Sequence, residues 1–151
     1  MTFNGHLVKI LHCCTEQAIT EALEKMELTA AQGRVMGYLS HCPEPPCPKD
    51  VEEDFHLSHP TVSGLLARLE KKGFLELYPD PDDHRCKRIR VLPKGMRSHE
   101  TMHRTIMDME QRMVKDFTPE EEAAFHELLT RAITNMGGSW DRPAHKEEPS
   151  K

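Results

Sequence analysis

The sequence predicts a mainly α-helical chain carrying one small β-hairpin, on three observations. Apolar residues recur at three- and four-residue steps over several stretches, the spacing of one helix face. Two short alternating runs, FLELY and KRIRV, flank a cluster of turn residues, Pro79 to Asp83. Positive charge gathers around that hairpin in a chain of 151 residues whose formal net charge is −5. A chain of this length is one domain, or one domain with an extended appendage.

The elements follow in order. Residues 6–27 predict an amphipathic helix, with Leu7, Val8, Leu11, Ala18, Ile19, Ala22, Leu23 and Met26 on its apolar side. Thr29-Ala30-Ala31-Gln32 is a capping box that starts a second helix carrying Val35, Met36 and Leu39. CPEPPCP, Cys42 to Pro48, stops it, because four prolines in seven residues cannot continue a helix. A short acidic helix over about Lys49–Phe55 comes next. Ser58 or His59 then caps a helix that admits Pro60 in its first turn, where no N–H is needed. Val62, Leu65, Leu66 and Leu69 form its buried stripe, and Gly73 ends it.

In the hairpin, Leu75 and Leu77 share one face, as do Ile89 and Val91. Pro93 opens a long helix to about Phe117, with Met102, Ile106, Met109 and Met113 along one seam. Thr118-Pro119-Glu120-Glu121 caps a last helix bearing Phe125, Leu128, Leu129, Ala132, Ile133 and Met136. Residues 138–151 are polar and are expected to form a disordered tail.

Several function classes are set aside. No run of 18 apolar residues is present, and the start lacks the pattern of a signal peptide, so a cytoplasmic protein without membrane contact is expected. The five cysteines form no paired CxxC set, which argues against structural zinc. No nucleophile–base set, phosphate loop or metalloprotease motif is visible, so neither an enzyme nor a cofactor is expected. Charge points elsewhere. From Ser58 to Arg97 there are nine Lys/Arg against five Asp/Glu, which leaves −9 for the remainder. Any polyanion surface is therefore local.

Helix, short helix, helix, then hairpin is a winged helix-turn-helix order, in which the third helix lies in the DNA major groove. Candidate contacts on that helix are Ser58, His59, Pro60, Thr61, Ser63 and Gly64, with Arg68 one to two turns on and better placed for phosphate. Gly64 costs about 1 kcal/mol in a helix interior, for which close approach of backbone to DNA is a return. The hairpin, or wing, brings Arg85 and Lys87; Arg88 and Arg90 read first as the solvated face of a strand, with DNA contact as the alternative.

LTAAQGRVMGYL, the stretch from Leu57 to Gly95 and the helices at both ends resemble the MarR family of bacterial transcription regulators, over about residues 7 to 136. The wing pattern Asp83-x-Arg85, an alternating strand and Leu92-x-x-Gly95 is its most specific part. The resemblance implies that Arg85 enters the minor groove and that Asp83 holds it in pose. A guanidinium suits a narrow, negative groove better than an ammonium does. It also implies a homodimer with interleaved terminal helices, a pseudo-palindromic operator and a repressor released by a small, often aromatic, ligand. On this reading residues 1–137 form one domain, with 29–92 as DNA-binding lobe and 6–28 and 93–137 as dimerisation helices. His12, Met36, His99 and His103 are the pocket candidates.

Other readings remain beside it. Peroxide-sensing relatives use a first-helix cysteine, which makes Cys13 and Cys14 redox candidates. His99 and His103 have metal-compatible i, i+4 spacing, but Gly33 and Arg34 stand where second-helix ligands belong, and no metal is expected. Glu52 occupies a position where the family carries a small residue, amid Asp50, Glu53 and Asp54. Those acids are the best argument for a winged domain that binds protein in place of DNA.

Overall fold

The computed structural model describes residues 3–140. Six helices and one hairpin follow in the order α1 (Asn4–Lys25), α2 (Ala30–His41), α3 (Pro48–Phe55), α4 (His59–Lys71), β1 (Leu75–Pro79), β2 (Lys87–Val91), α5 (Pro93–Met113) and α6 (Pro119–Asn135). The order is the expected one, and two boundaries shift. The first helix begins and ends two residues early, where Glu27 takes a left-handed φ of 58°. The long helix stops at Met113, well before Phe117, because Asp116 at φ 67° reverses the chain before the next cap. Of the expected polar tail, Gly138–Trp140 are exposed and non-helical; residues 141–151 lie outside the described residues.

Local chemistry accounts for the helix starts. Thr29 and Gln32 cap each other reciprocally at 3.2 and 3.1 Å, and Thr118 and Glu121 do so at 3.2 and 2.8 Å. Ser58 accepts from the Thr61 N–H, with Pro60 in the first turn of α4. Gly73, at φ 81°, turns the chain from α4 into β1.

The core is built around α4. Val62, Leu66 and Leu69 are almost fully buried, and meet Val35, Met36 and Leu39 of α2, Val51 of α3, and Phe74, Leu75 and Ile89 of the hairpin. Each such side chain contributes about 1.5–3 kcal/mol relative to exposure. The hairpin is antiparallel, with Leu75 opposite Val91 and Leu77 opposite Ile89, so its apolar residues do share one face. The Pro-rich loop joins it: the Ile89 N–H donates to the Pro46 carbonyl at 2.8 Å, which covers part of the free edge of β2.

The terminal helices differ. α6 buries none of its residues, and α5 buries only Gly95 and Ser98. Gly95 sits where α5 starts against the hairpin. A Cβ there would run into the Phe74 carbonyl and come within 2.8 Å of Met36 Cε and Val91 Cγ1. Gly95→Ala is therefore expected to cost about 1–3 kcal/mol in urea unfolding, since a backbone carbonyl cannot move aside as a flexible side chain can.

Candidate nucleic-acid interface

α4 separates its residues by role. The apolar stripe faces the core, which leaves Ser58, His59, Pro60, Thr61, Ser63 and Arg68 exposed and Gly64 half-buried. Nothing lies within 4 Å of a Cβ built on Gly64. Ser58 Oγ and Thr61 Oγ1 are hydrogen-bonded at 2.8 Å, so the two hydroxyls form one polar patch at the helix start. His59 Nδ1 is 2.5 Å from Glu52 Oε1 of α3.

The wing is anchored to this helix from several directions. The Glu70 carboxylate accepts from the Leu77 N–H at 2.7 Å, and the Phe74 N–H donates to the Leu69 carbonyl at 3.0 Å. At the wing base, Arg88 Nε donates to Asp80 at 2.7 Å and its Nη1 donates to the Pro45 carbonyl at 3.1 Å. Asp80 is buried and also accepts from the Asp82 N–H at 2.9 Å. That N–H, then Arg88, hold its carboxyl below the usual carboxylate range.

The basic residues of the wing divide accordingly. Arg88 is consumed by Asp80 and the Pro-rich loop. Arg90 pairs with Glu76 and lies 4.2 Å from the centre of the Tyr78 ring. Neither is a merely solvated strand residue. Arg85 and Lys87 are exposed, and among the described residues no carboxylate forms an ion pair with them or with Arg68. Asp83 does not hold the Arg85 guanidinium here. Its carboxylate accepts from the Arg85 backbone N–H at 3.1 Å and lies 3.6 Å from Cys86 Sγ, so it shapes the turn from which Arg85 projects. The charge beside it, first of all, also pushes the Cys86 thiol up.

The pocket candidates are not brought together. A cleft of about 350 Å³ lies between the end of α2, the Pro-rich loop, β2 and α5, and His99 lines it with Leu39, Cys42, Val91 and Met96. Met36 is buried in the core, and His12 and His103 are exposed. The His99 ring stands edge-on to His41 at 4.9 Å. Burial, then the neighbouring His41 and His103, push its pKa down. Cys13 and Cys14 are exposed thiols on α1.

Sequence reasoning missed Asp80, Glu52 and the Pro-rich loop as working parts. Asp80 was legible only as turn chemistry, and its partner Arg88 only as one of a basic run.

Comparison with known proteins finds relatives of one family. A model of the MarR family matches residues 26–85. The multiple antibiotic resistance protein MarR of Escherichia coli is 25% identical over 130 residues, covering 85% of this chain and 90% of its own. The transcriptional repressor IacR of Pseudomonas putida is 23% identical over 120 residues, covering 80% of this chain and 71% of its own. Among solved structures, the MepR–DNA complex of Staphylococcus aureus superposes with a TM-score of 0.80 at 28% identity, over 87% of this chain and 98% of that one.

The wing base yields a pH prediction. Because the folded protein lowers the Asp80 pKa, the carboxylate favours folding above the unfolded value, and this contribution is lost as pH falls through the depressed folded value. Wild type should thus lose melting temperature below about pH 4 more steeply than Asp80→Asn, whose side chain does not titrate. Parallel melting curves would remove Arg88–Asp80 from the account of the wing.

Proposed function

The chain belongs to the MarR family of winged helix-turn-helix transcription regulators, and from that premise we propose that two copies bind double-stranded DNA as a ligand-released repressor. The observation that carries the reading is the division among wing cations: Arg88 and Arg90 are engaged internally, while Arg85 stands exposed at the tip with no carboxylate partner among the described residues. In the proposed complex α4 lies in the major groove and presents Ser58, His59, Thr61 and Ser63, with Pro60 and Gly64 allowing close approach. Arg85, on the turn shaped by Asp83, enters the minor groove, and Arg68 and Lys87 meet phosphates. Phosphate contacts supply affinity, and the few base contacts supply specificity. Such a protein works in the cytoplasm, beside its operator.

The dimer is supported by the terminal helices. Leu7 and Val8 of α1 and Leu128 and Ile133 of α6 are all exposed, Leu128 by 59%. Apolar helix faces of this kind mark an interaction surface. A second copy covers them and sets the spacing of two recognition helices on a pseudo-palindromic site. Release follows when a small ligand binds the non-spanning arrangement more tightly than the DNA-bound one. The cleft beside His99 is the site this chain offers for it.

Two measurements test the reading. Arg85→Ala should weaken binding to an operator fragment by about 1–3 kcal/mol without changing subunit association; unchanged affinity in a titration would displace Arg85 from the interface. Leu128→Glu should convert the dimer to a monomer in sedimentation, since it buries a carboxylate in the seam; a dimer that survives the change would place the interface elsewhere.

A further inference from the structure

The four acids of α3 have separate uses. Asp50 accepts from the Cys47 N–H at 2.8 Å, and Glu53 pairs with Lys49 one helical turn away. Asp54 hydrogen-bonds the Tyr38 side chain. Glu52 alone reaches the recognition helix. His56 takes a left-handed φ of 52°, and the Leu57 N–H donates back to the Glu52 carbonyl at 3.1 Å. This tight turn folds the start of α4 onto α3, whose Val51 is fully buried in the core beneath. The Glu52 side chain is 21% exposed, whereas that of His59 is 77% exposed. One end of the imidazole is thus held, and the other is open.

A carboxylate is an acceptor only, so the 2.5 Å contact requires the proton on His59 Nδ1. The ring orientation is thereby set, with Nε2 on the far edge as the atom left for an external partner. Glu52 also brings a negative charge to the face where DNA phosphates would approach, which opposes binding of any sequence. A side chain that served affinity alone would not be acidic here.

We infer that Glu52 is a positioning residue for base reading: it holds His59 so that Nε2 meets a base edge, and it lowers non-specific affinity at the same time. The inference rests on the DNA-binding reading above. It adds a specificity determinant that lies on the short helix, outside the recognition helix and the wing.

The test uses two probes. One is a duplex of about 30 base pairs selected by the wild-type protein from a random pool; the other is a scrambled duplex of the same composition. His59→Ala and Glu52→Ala should each reduce the selected-to-scrambled affinity ratio by about 5- to 10-fold, the loss of one base contact. Glu52→Ala should also raise affinity for the scrambled duplex by about 2- to 5-fold, as removal of one charge near phosphate implies. Glu52→Gln should share that rise but keep most of the discrimination, because its amide oxygen still accepts from Nδ1–H. In the His59→Ala background, Glu52→Ala should change the ratio no further. Thermal melts of each variant exclude unfolding as the cause. A ratio unchanged in Glu52→Ala overturns the inference, as does a loss in Glu52→Gln equal to that in Glu52→Ala. If the wild type enriches no sequence, the DNA-binding reading itself fails and this one falls with it.

Discussion

Burial of one helix stripe decides what the rest of the lobe can do. Val62, Leu66 and Leu69 are held in the core by α2, α3 and the hairpin, so α4 cannot rotate without exposing all of them. At 3.6 residues per turn, fixing that stripe also fixes the outward set, Ser58, His59, Thr61, Ser63 and Arg68. A rigid helix with a short polar outer face is suited to a groove. The same burial positions the wing, because Phe74 and Leu75 leave α4 directly and are themselves buried. Helix and wing are thus parts of one packed body, and their separation is a property of the core.

Charge is handled by the same economy. An acidic chain cannot attract DNA with its whole field, so its cations must be local and free. The hairpin is rich in arginine, yet two of its three arginines are spent internally. Arg88 ties the wing to Asp80 and Pro45, and Arg90 lies against Glu76 and Tyr78. These contacts stiffen the strands behind the tip. The arginine left over, Arg85, then projects from a turn whose backbone Asp83 holds. A preorganised cation loses less freedom on binding than one at the end of a floppy loop.

Much of this was legible in the sequence, where the signal was local. Capping boxes at Thr29 and Thr118, the stripe from Val62 to Leu69, the turn at Gly73 and the apolar face of each hairpin strand follow from spacing within a few residues. The contacts that were not legible cross between elements. Nothing local pairs Arg88 with Pro45, 43 residues away, or tells Arg88 apart from Arg85 in a basic run. Glu52 looked like a charge opposed to DNA, because its reach to His59 depends on the left-handed turn at His56. The pocket candidates are spread apart for a related reason: chemistry grouped His12, Met36, His99 and His103, while packing within the subunit sends Met36 inward and leaves His12 and His103 outside the cleft that His99 lines.

The Pro-rich loop connects these parts. It stops α2, walls the cleft beside His99, bonds β2 through Pro46 and receives Arg88 through Pro45. α5 borders the same cleft through Met96 and His99, and then runs on into the apolar seam that a second copy would cover. A molecule filling the cleft would therefore touch both β2 of the wing and α5. Proline restricts the loop to few backbone conformations, which makes it a stiff wall between β2 and α5. On the proposed reading, such a cleft would be a single site whose occupancy bears on both the wing and the helix that leads to the subunit seam.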